Sequence, residues 1–279
     1  MKNRTDKNMK KLYSRRGLTL VEMMMVMLIM VGLAAVLIPL FGNVVGLTHG
    51  SSSAANCESI ARSFEQHKAM YAGYPNQLDL LLTDNTDATT LAPFGGTVDA
   101  AELTTTALSE RIADALLDAG IVEVVENPAE AALLDEEDQT NFGLGDTDGG
   151  TERLIAVDED TPSPGNVVIL GATAISRLGL APADLTGATE GAPLAYVVLG
   201  VGNNNDGIGK SMLDAPVHFL ANGGSNEEIY SRFLVVLRIP AEEGGAILSS
   251  VVGVDVHHGE GEVVGLNRHV REFHHSREQ

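Results

Sequence analysis

The sequence predicts an α+β protein in which a long amino-terminal transmembrane and amphipathic helix packs on a mainly antiparallel β-sheet head. Three observations support this fold class. Residues 23–41 hold no charged or strongly polar side chain. Residues 54–72 place apolar side chains at helical spacing. Short runs rich in Val, Ile and Leu then recur along the chain between Gly, Pro, Asn and Asp residues, as expected of strands and turns.

The apolar run 23–41 is long enough for a membrane-spanning helix. At about 1.5 Å per residue it covers roughly 28 Å, close to the hydrocarbon thickness of a bilayer. The run is too long for the apolar part of a typical signal peptide, and no Ala-x-Ala cleavage pattern sits clearly at its end. A plain signal anchor explains this length, but it does not explain the carboxylate of Glu22 next to the run.

Charge is distributed unevenly along the 279 residues, whose net charge is −20. Residues 1–17 hold seven basic side chains and one acidic side chain, a charge of +6, which leaves −26 for residues 18–279. By the positive-inside rule the basic leader stays in the cytoplasm and the rest crosses. The acidic body repels phosphate backbones, so nucleic acid is not an expected partner. It fits an extracytoplasmic domain or one that attracts divalent cations, although a solvated acidic surface is commoner.

The residues at the start of the apolar run carry a family resemblance. Arg16-Gly17-Leu18-Thr19-Leu20-Val21-Glu22 resembles the processing and methylation signal of type IV pilins and type II secretion pseudopilins. The resemblance implies that a prepilin peptidase cuts after Gly17 and methylates the new amine of Leu18. It also implies that Glu22 neutralises this amine on a neighbouring copy during assembly. Pro39, the second candidate assembly residue beside Glu22, stands where many pilins also have a proline, whereas Leu18 replaces the usual Phe.

The resemblance also implies a location and a set of partners. The expected location is the bacterial inner membrane, with a single pass, a cytoplasmic amino terminus and a periplasmic head. The expected partners are the prepilin peptidase, copies of the chain or other pseudopilins, and the inner membrane. The domains are then a removed leader (1–17), a transmembrane helix with the methylation motif (18–41), a helix continuation with an amphipathic segment (42–72), the α+β head (73–256) and a flexible His-rich tail (257–279).

The elements after the apolar run follow from local patterns. Residues 42–56 are rich in Gly and Ser, which leaves open a marginal continuing helix or a break near residues 46–50. The amphipathic helix at 54–72 carries Cys57 on its apolar face; as the only cysteine, Cys57 excludes an intrachain disulfide. Further helices are expected at 107–119, with Thr106 as its cap and Gly120 as its end, and at 172–178. Strands are expected at 121–125, 154–157, 167–170, 195–201, 232–239 and 251–256.

The turn after the amphipathic helix favours one branch of the family. Tyr74-Pro75 followed by the Leu-rich residues 78–81 resembles the corresponding turn of major pseudopilins. The resemblance favours a secretion-type pseudopilin over an adhesive pilin. The absence of a cysteine pair favours the same branch, because many type IV pilins close a carboxy-terminal loop with a disulfide.

One loop is a candidate calcium site. Residues 202–209 are dense in oxygen ligands and glycines, with Asp206 and Asn204 as the candidate ligands. The stretch lacks the spaced carboxylates of an EF-hand loop, and a tight Asn/Gly turn between strands is the favoured alternative. The acidic residues 146–152 admit the same two interpretations. The His-rich residues 257–262 fit a solvated tail better than a metal site. No cofactor is otherwise expected.

These observations favour a mechanical role. No nucleophile elbow, phosphate-binding loop or dinucleotide fingerprint is present, so the chain is not expected to be an enzyme. The predicted function is a structural subunit of a type II secretion or type IV pilus-like filament, assembled through its amino-terminal helix after processing. The alternatives are a minor pilin that acts as a tip or substrate-binding module, and a membrane-anchored extracytoplasmic domain.

Overall fold

The computed structural model describes residues 19–82, 91–92, 94, 97–126, 154–160, 163–218, 230–257 and 260–265. Within these ranges the description of residues 36, 38–50, 126 and 257 is limited to the backbone. The chain divides into two compact units, residues 1–46 and 47–279.

The described residues form three helices and ten strands. The helices are α1 (Leu20–Tyr71), α2 (Glu110–Asp118) and α3 (Ala172–Leu178). The strands are β1 (Leu78–Leu80), β2 (Thr97–Val98), β3 (Leu103–Ala107), β4 (Glu123–Glu126), β5 (Leu154–Ala156), β6 (Asn166–Leu170), β7 (Pro193–Gly200), β8 (Leu234–Pro240), β9 (Ile247–His257) and β10 (Glu260–Gly265). β10 lies inside the segment predicted to be a flexible tail.

All ten strands belong to one sheet, with the main order β2-β10-β9-β8-β7-β1-β4-β5. β6 pairs with β7, and β3 pairs with β6. The central neighbours β7, β8 and β9 are antiparallel, whereas β1 with β4 and β10 with β2 are parallel. The sheet is therefore mixed.

The expected fold class is wrong about the sheet, which is mixed: β1 with β4 and β10 with β2 are parallel pairs, although the other pairings of the described strands are antiparallel. Apolar periodicity indicates which residues form strands, but it does not indicate which strand lies beside which. Parallel neighbours need a long crossover. Residues 81–122, which include α2, supply that crossover between β1 and β4.

The expected fold class is also wrong about the helix. α1 has 52 residues and continues through the Gly- and Ser-rich residues 42–56, but the boundary between the two compact units falls within it at Gly46. It is therefore not a long helix packed along the sheet. In the sheet unit, Cys57, Ile60 and Phe64 of α1 belong to the core. Residues 20–35 are exposed on every side of the helix.

The expected single-pass localisation in the inner membrane is wrong as well. A membrane span needs sufficient length and sufficient hydropathy within one helix. None of the helices in the described ranges meets both requirements.

The core of the sheet unit is built from aliphatic side chains of the central strands, with Val197, Val198 and Leu234 fully buried. α2 covers this core with Ile112 and three further buried residues. The predicted Thr106 cap is wrong, because residue 106 belongs to β3. The cap of α2 is Ser109, whose side chain accepts a hydrogen bond from the N–H of Ile112.

The helix expected at 172–178 is confirmed as α3.

Candidate functional site

The first turn of α1 is closed by a reciprocal contact between Thr19 and Glu22. The backbone N–H of Thr19 donates to Oε2 of Glu22 at 2.7 Å, and the Thr19 hydroxyl donates to the same oxygen at 2.8 Å. In return, the N–H of Glu22 donates to the Thr19 hydroxyl oxygen at 3.3 Å. This Thr-x-x-Glu arrangement is a capping box, which satisfies backbone donors that the first helical turn leaves open. The negative charge of the Glu22 carboxylate also interacts favourably with the positive, amino-terminal end of the helix dipole.

Beyond this cap, α1 presents apolar side chains to solvent. Met27 is 64% exposed, Leu28 77% and Val31 70%. Thirteen large apolar residues between 20 and 37 are exposed in this way: Leu20, Val21, Met23, Met24, Met25, Val26, Met27, Leu28, Ile29, Met30, Val31, Leu33 and Leu37. We call this set the apolar sleeve. Because consecutive residues point around the whole helix, the sleeve has no polar side between residues 23 and 31.

Three predicted site residues near the sleeve lie partly or wholly outside the description. Gly17 and Leu18, the predicted processing residues, precede the described range. Pro39, a predicted assembly residue, lies within α1, but only its backbone is described. Of the four predicted processing and assembly residues, Glu22 is therefore the one whose side-chain contacts are known.

The predicted calcium ligand Asp206 is held by the protein itself. Its Oδ1 accepts the backbone N–H of Asn76 at 2.7 Å, and its Oδ2 accepts Nζ of Lys210 at 3.0 Å. Its own N–H donates to the Asn76 carbonyl at 3.1 Å. The contact with Asn76 therefore joins this loop to the turn that follows α1. The second predicted ligand, Asn204, is half-buried, while the neighbouring Asn205 is buried.

The buried side chain of His67 also lies next to Asp206. Nδ1 of His67 lies 2.8 Å from the carbonyl oxygen of Gly73. Because a carbonyl only accepts, Nδ1 carries the proton in this contact. Nε2 of His67 then faces Oδ1 of Asp206 at 3.6 Å. The ring of His67 also lies against the ring of Tyr71, with 4.7 Å between centroids.

This donor set does not fit calcium. Calcium prefers six to eight oxygen ligands, but both carboxylate oxygens of Asp206 already accept hydrogen bonds, one of them from an ammonium group. Among the described residues no group of three or more His, Cys, Asp or Glu side chains is placed to hold a metal. The contacts favour the alternative interpretation of residues 202–209, a turn fixed by its own side chains and by Asn76.

A second buried polar group was not predicted from the sequence. Asp79 in β1 is 1% exposed, and its Oδ2 accepts the hydroxyl of Tyr230 at 2.8 Å. Burial raises the pKa of the Asp79 carboxyl to about 8, against smaller lowering effects of Tyr230 and Arg232. The sequence does contain an indication of this site, because Asp79 is an acidic residue within the apolar run Leu78 to Leu82.

Cys57 is an inert core residue rather than a nucleophile. It is 2% exposed. Burial, with a further contribution from the charge of Asp255, raises the pKa of the Cys57 thiol to about 12. A thiol reacts as its thiolate, so this environment suppresses reactivity.

Comparisons with known proteins do not assign this arrangement to a family. No protein-family model matches the chain, and the searches of curated proteins and of solved structures found no match either.

Proposed function

We propose that this chain is a structural subunit of a type II secretion or type IV pilus-like filament, which assembles through α1 after a prepilin peptidase removes residues 1–17. Two independent features support the proposal. The first is the processing motif that ends at Glu22. The second is the apolar sleeve directly after it.

The observation that carries the proposal is the exposure of the sleeve on all sides of the helix. Burying one large aliphatic or Met side chain is favourable by about 1.5–3 kcal/mol. A helix that is apolar all round is stable only when it is buried all round. One partner on one face would leave most of the sleeve in water. Several neighbouring copies, each contributing the same helix, would cover it completely.

Glu22 has a second role in this proposal. Both Thr19 contacts use Oε2 of Glu22. A carboxylate has further acceptor capacity on its other oxygen. In the assembled bundle this oxygen accepts the charged amine of Leu18 from a neighbouring copy. Because the surrounding sleeve is apolar, a pair of opposite charges is much more favourable there than two separate charges.

The proposal is tested by separating the charge of Glu22 from its capping role. Glu22→Gln keeps a side chain that fits a capping box but removes the charge. Thr19→Val removes the hydroxyl contacts but keeps the charge. We expect Glu22→Gln to be processed normally and to form no filaments, whereas Thr19→Val is processed and still assembles. Processing is measured as the loss of residues 1–17 by mass spectrometry, and assembly by electron microscopy of sheared filaments.

Two controls complete the experiment. Glu58→Gln removes another exposed carboxylate from α1 and should leave assembly unchanged. Gly17→Ala should leave the leader attached, because the peptidase recognises that glycine in the family that the motif resembles. Normal filaments from Glu22→Gln would contradict the proposed charge pair, and an intact leader on the wild-type chain would contradict the proposed function as a whole.

A further inference from the structure

Strands β1 and β7 are neighbours in the sheet but share very little backbone pairing. We call their contact, Asp79 with Gly200, the joint. β7 pairs with β8 from Pro193 to Gly200, and β1 pairs with β4 along all three of its residues. Between β1 and β7, in contrast, the register consists of one pair, Asp79 with Gly200. Within the described residues, strands β1, β4 and β5 are therefore connected to the rest of the sheet through a single point of pairing.

A buried acid occupies that point. The Asp79 carboxylate lies so close to Gly202 that a Cβ on Gly202 would come within 2.3 Å of both of its oxygens. The Tyr230 side chain crosses Gly200 in the same way, and its hydroxyl binds Oδ2 of Asp79. Oδ1 is buried and has no hydrogen-bond partner among the described residues. The two glycines thus make room for a polar contact that lies directly on the joint.

In the part of the chain that the structure describes, few charged groups face the Asp79 carboxyl group. Tyr230 reaches it from the segment before β8, and Arg232 from the same segment exerts a weaker attraction. Arg232 itself interacts with Asp214 and donates a hydrogen bond to the carbonyl of Ala215. Gly200 and Gly202 on the β7 side have no side chain, and on the β4 side the paired residue is Val125.

We propose that the contact between β1 and β7 is a proton-operated joint. It is closed while Asp79 is a neutral carboxylic acid, and it opens more readily when solution conditions favour the ionised form. An ionised carboxylate at this point would be fully buried with a single hydrogen bond from a neutral hydroxyl, which is an unfavourable environment for a charge. Opening the joint exposes the carboxylate to water and separates β1, β4 and β5 from the other strands.

The direction of the pH dependence follows from the two states of Asp79. The closed state keeps its proton up to about pH 8, where burial has raised the pKa of Asp79. In the open state the carboxyl has the ordinary Asp pKa of about 3.9. The free energy that favours the closed state is therefore greatest below about pH 4. It decreases as the pH rises, and it reaches its minimum above about pH 8.

Hydrogen exchange of the full-length protein tests the joint. Between pH 5 and pH 8, after correction for intrinsic exchange, we expect the opening constant of β1, β4 and β5 amides to rise by up to about tenfold per pH unit. The amides of β8 and β9 should change less. Asp79→Asn keeps the shape and the acceptor for Tyr230 but cannot ionise, so it should abolish this pH dependence. Glu242→Gln, at an exposed position in the turn after β8, is the matched control and should retain it.

A second measurement keeps the proposal testable if Asp79→Asn does not fold. The carboxyl carbon resonance of Asp79 in the wild-type protein should titrate far above the range of ordinary aspartates. Tyr230→Phe removes the hydrogen bond that favours the ionised form, so it should move this titration to higher pH. A titration of Asp79 near pH 4 would overturn the proposal. An identical pH dependence of exchange in wild type and Asp79→Asn would do so as well.

Discussion

Two parts of this chain are rich in apolar residues, but their side chains differ in exposure. In α1, Met27 and Leu28 are 64% and 77% exposed. In the central strands β7 and β8, Val197 and Leu234 are fully buried. The strands cover one another within the sheet unit, whereas the sleeve side chains that the structure describes are all exposed. An apolar run therefore predicts that burial will occur, but the burial need not come from the same chain.

This difference separates two sources of stability. The sheet unit carries its own core, so its folding free energy comes from contacts inside one chain. In the filament proposed above, the apolar sleeve would gain its burial free energy from neighbouring copies. Mutations in the core should therefore change folding, and mutations in the sleeve should change assembly.

The largest expected effect comes from a core residue of α1. Phe64 is fully buried, and Phe64→Ala should lower the free energy of unfolding of the sheet unit by about 3–5 kcal/mol because it leaves a cavity. Met27→Ala on the same helix should change it by less than about 0.5 kcal/mol, because that side chain is exposed. Both values are measured by chemical denaturation of the unassembled protein. Equal losses from the two substitutions would show that the comparison between core and sleeve is wrong.

A smaller effect should come from an ion pair inside the sheet unit. Arg177 of α3 binds Glu102 through two contacts of 2.7 Å, and Glu102 is 5% exposed. Arg177→Ala would leave this carboxylate buried without its main partner, at a cost of about 3 kcal/mol. The matched pair is Arg62 with Glu58 on α1, where both side chains are exposed. Arg62→Ala should lower the free energy of unfolding by less than about 1 kcal/mol. Both variants are compared by chemical denaturation at low and high salt. Equal losses of stability would contradict the difference between the buried and the exposed ion pair.

The sequence predicted strands where apolar residues are continuous. The expected strand at 167–170 corresponds to β6, and that at 251–256 lies inside β9. β3 was missed because its centre is Thr104 to Thr106, which shows no apolar alternation. β10 was missed because Glu260, Gly261 and Glu262 resemble a solvated tail, although pairing with β9 orders them. Local pattern does not contain the partner strand, so these elements and the parallel pairs could not be predicted.

The candidate sites show the same limit. Glu22 was predicted as an assembly residue from the motif, which also contains the Thr-x-x-Glu spacing of the capping box. The contacts of Asp206 with Asn76 and His67 could not be predicted, because these two residues are more than 120 positions away in the sequence. Asp79 and Tyr230 are separated by 151 positions. Contacts between side chains that are far apart in the sequence can be identified only from the folded structure.

The smallest expected effect concerns the capping box at the start of the sleeve. Thr19→Val removes the hydroxyl that donates to Glu22 and accepts from its N–H, and should destabilise the first turn of α1 by about 1 kcal/mol. Hydrogen exchange of the first-turn amides should therefore quicken about fivefold, while exchange in β7 and β8 stays unchanged. Glu58→Gln should leave the first-turn amides as they are. Unchanged first-turn exchange in Thr19→Val would mean that contacts other than those with the Thr19 hydroxyl hold the first turn of α1 and Glu22.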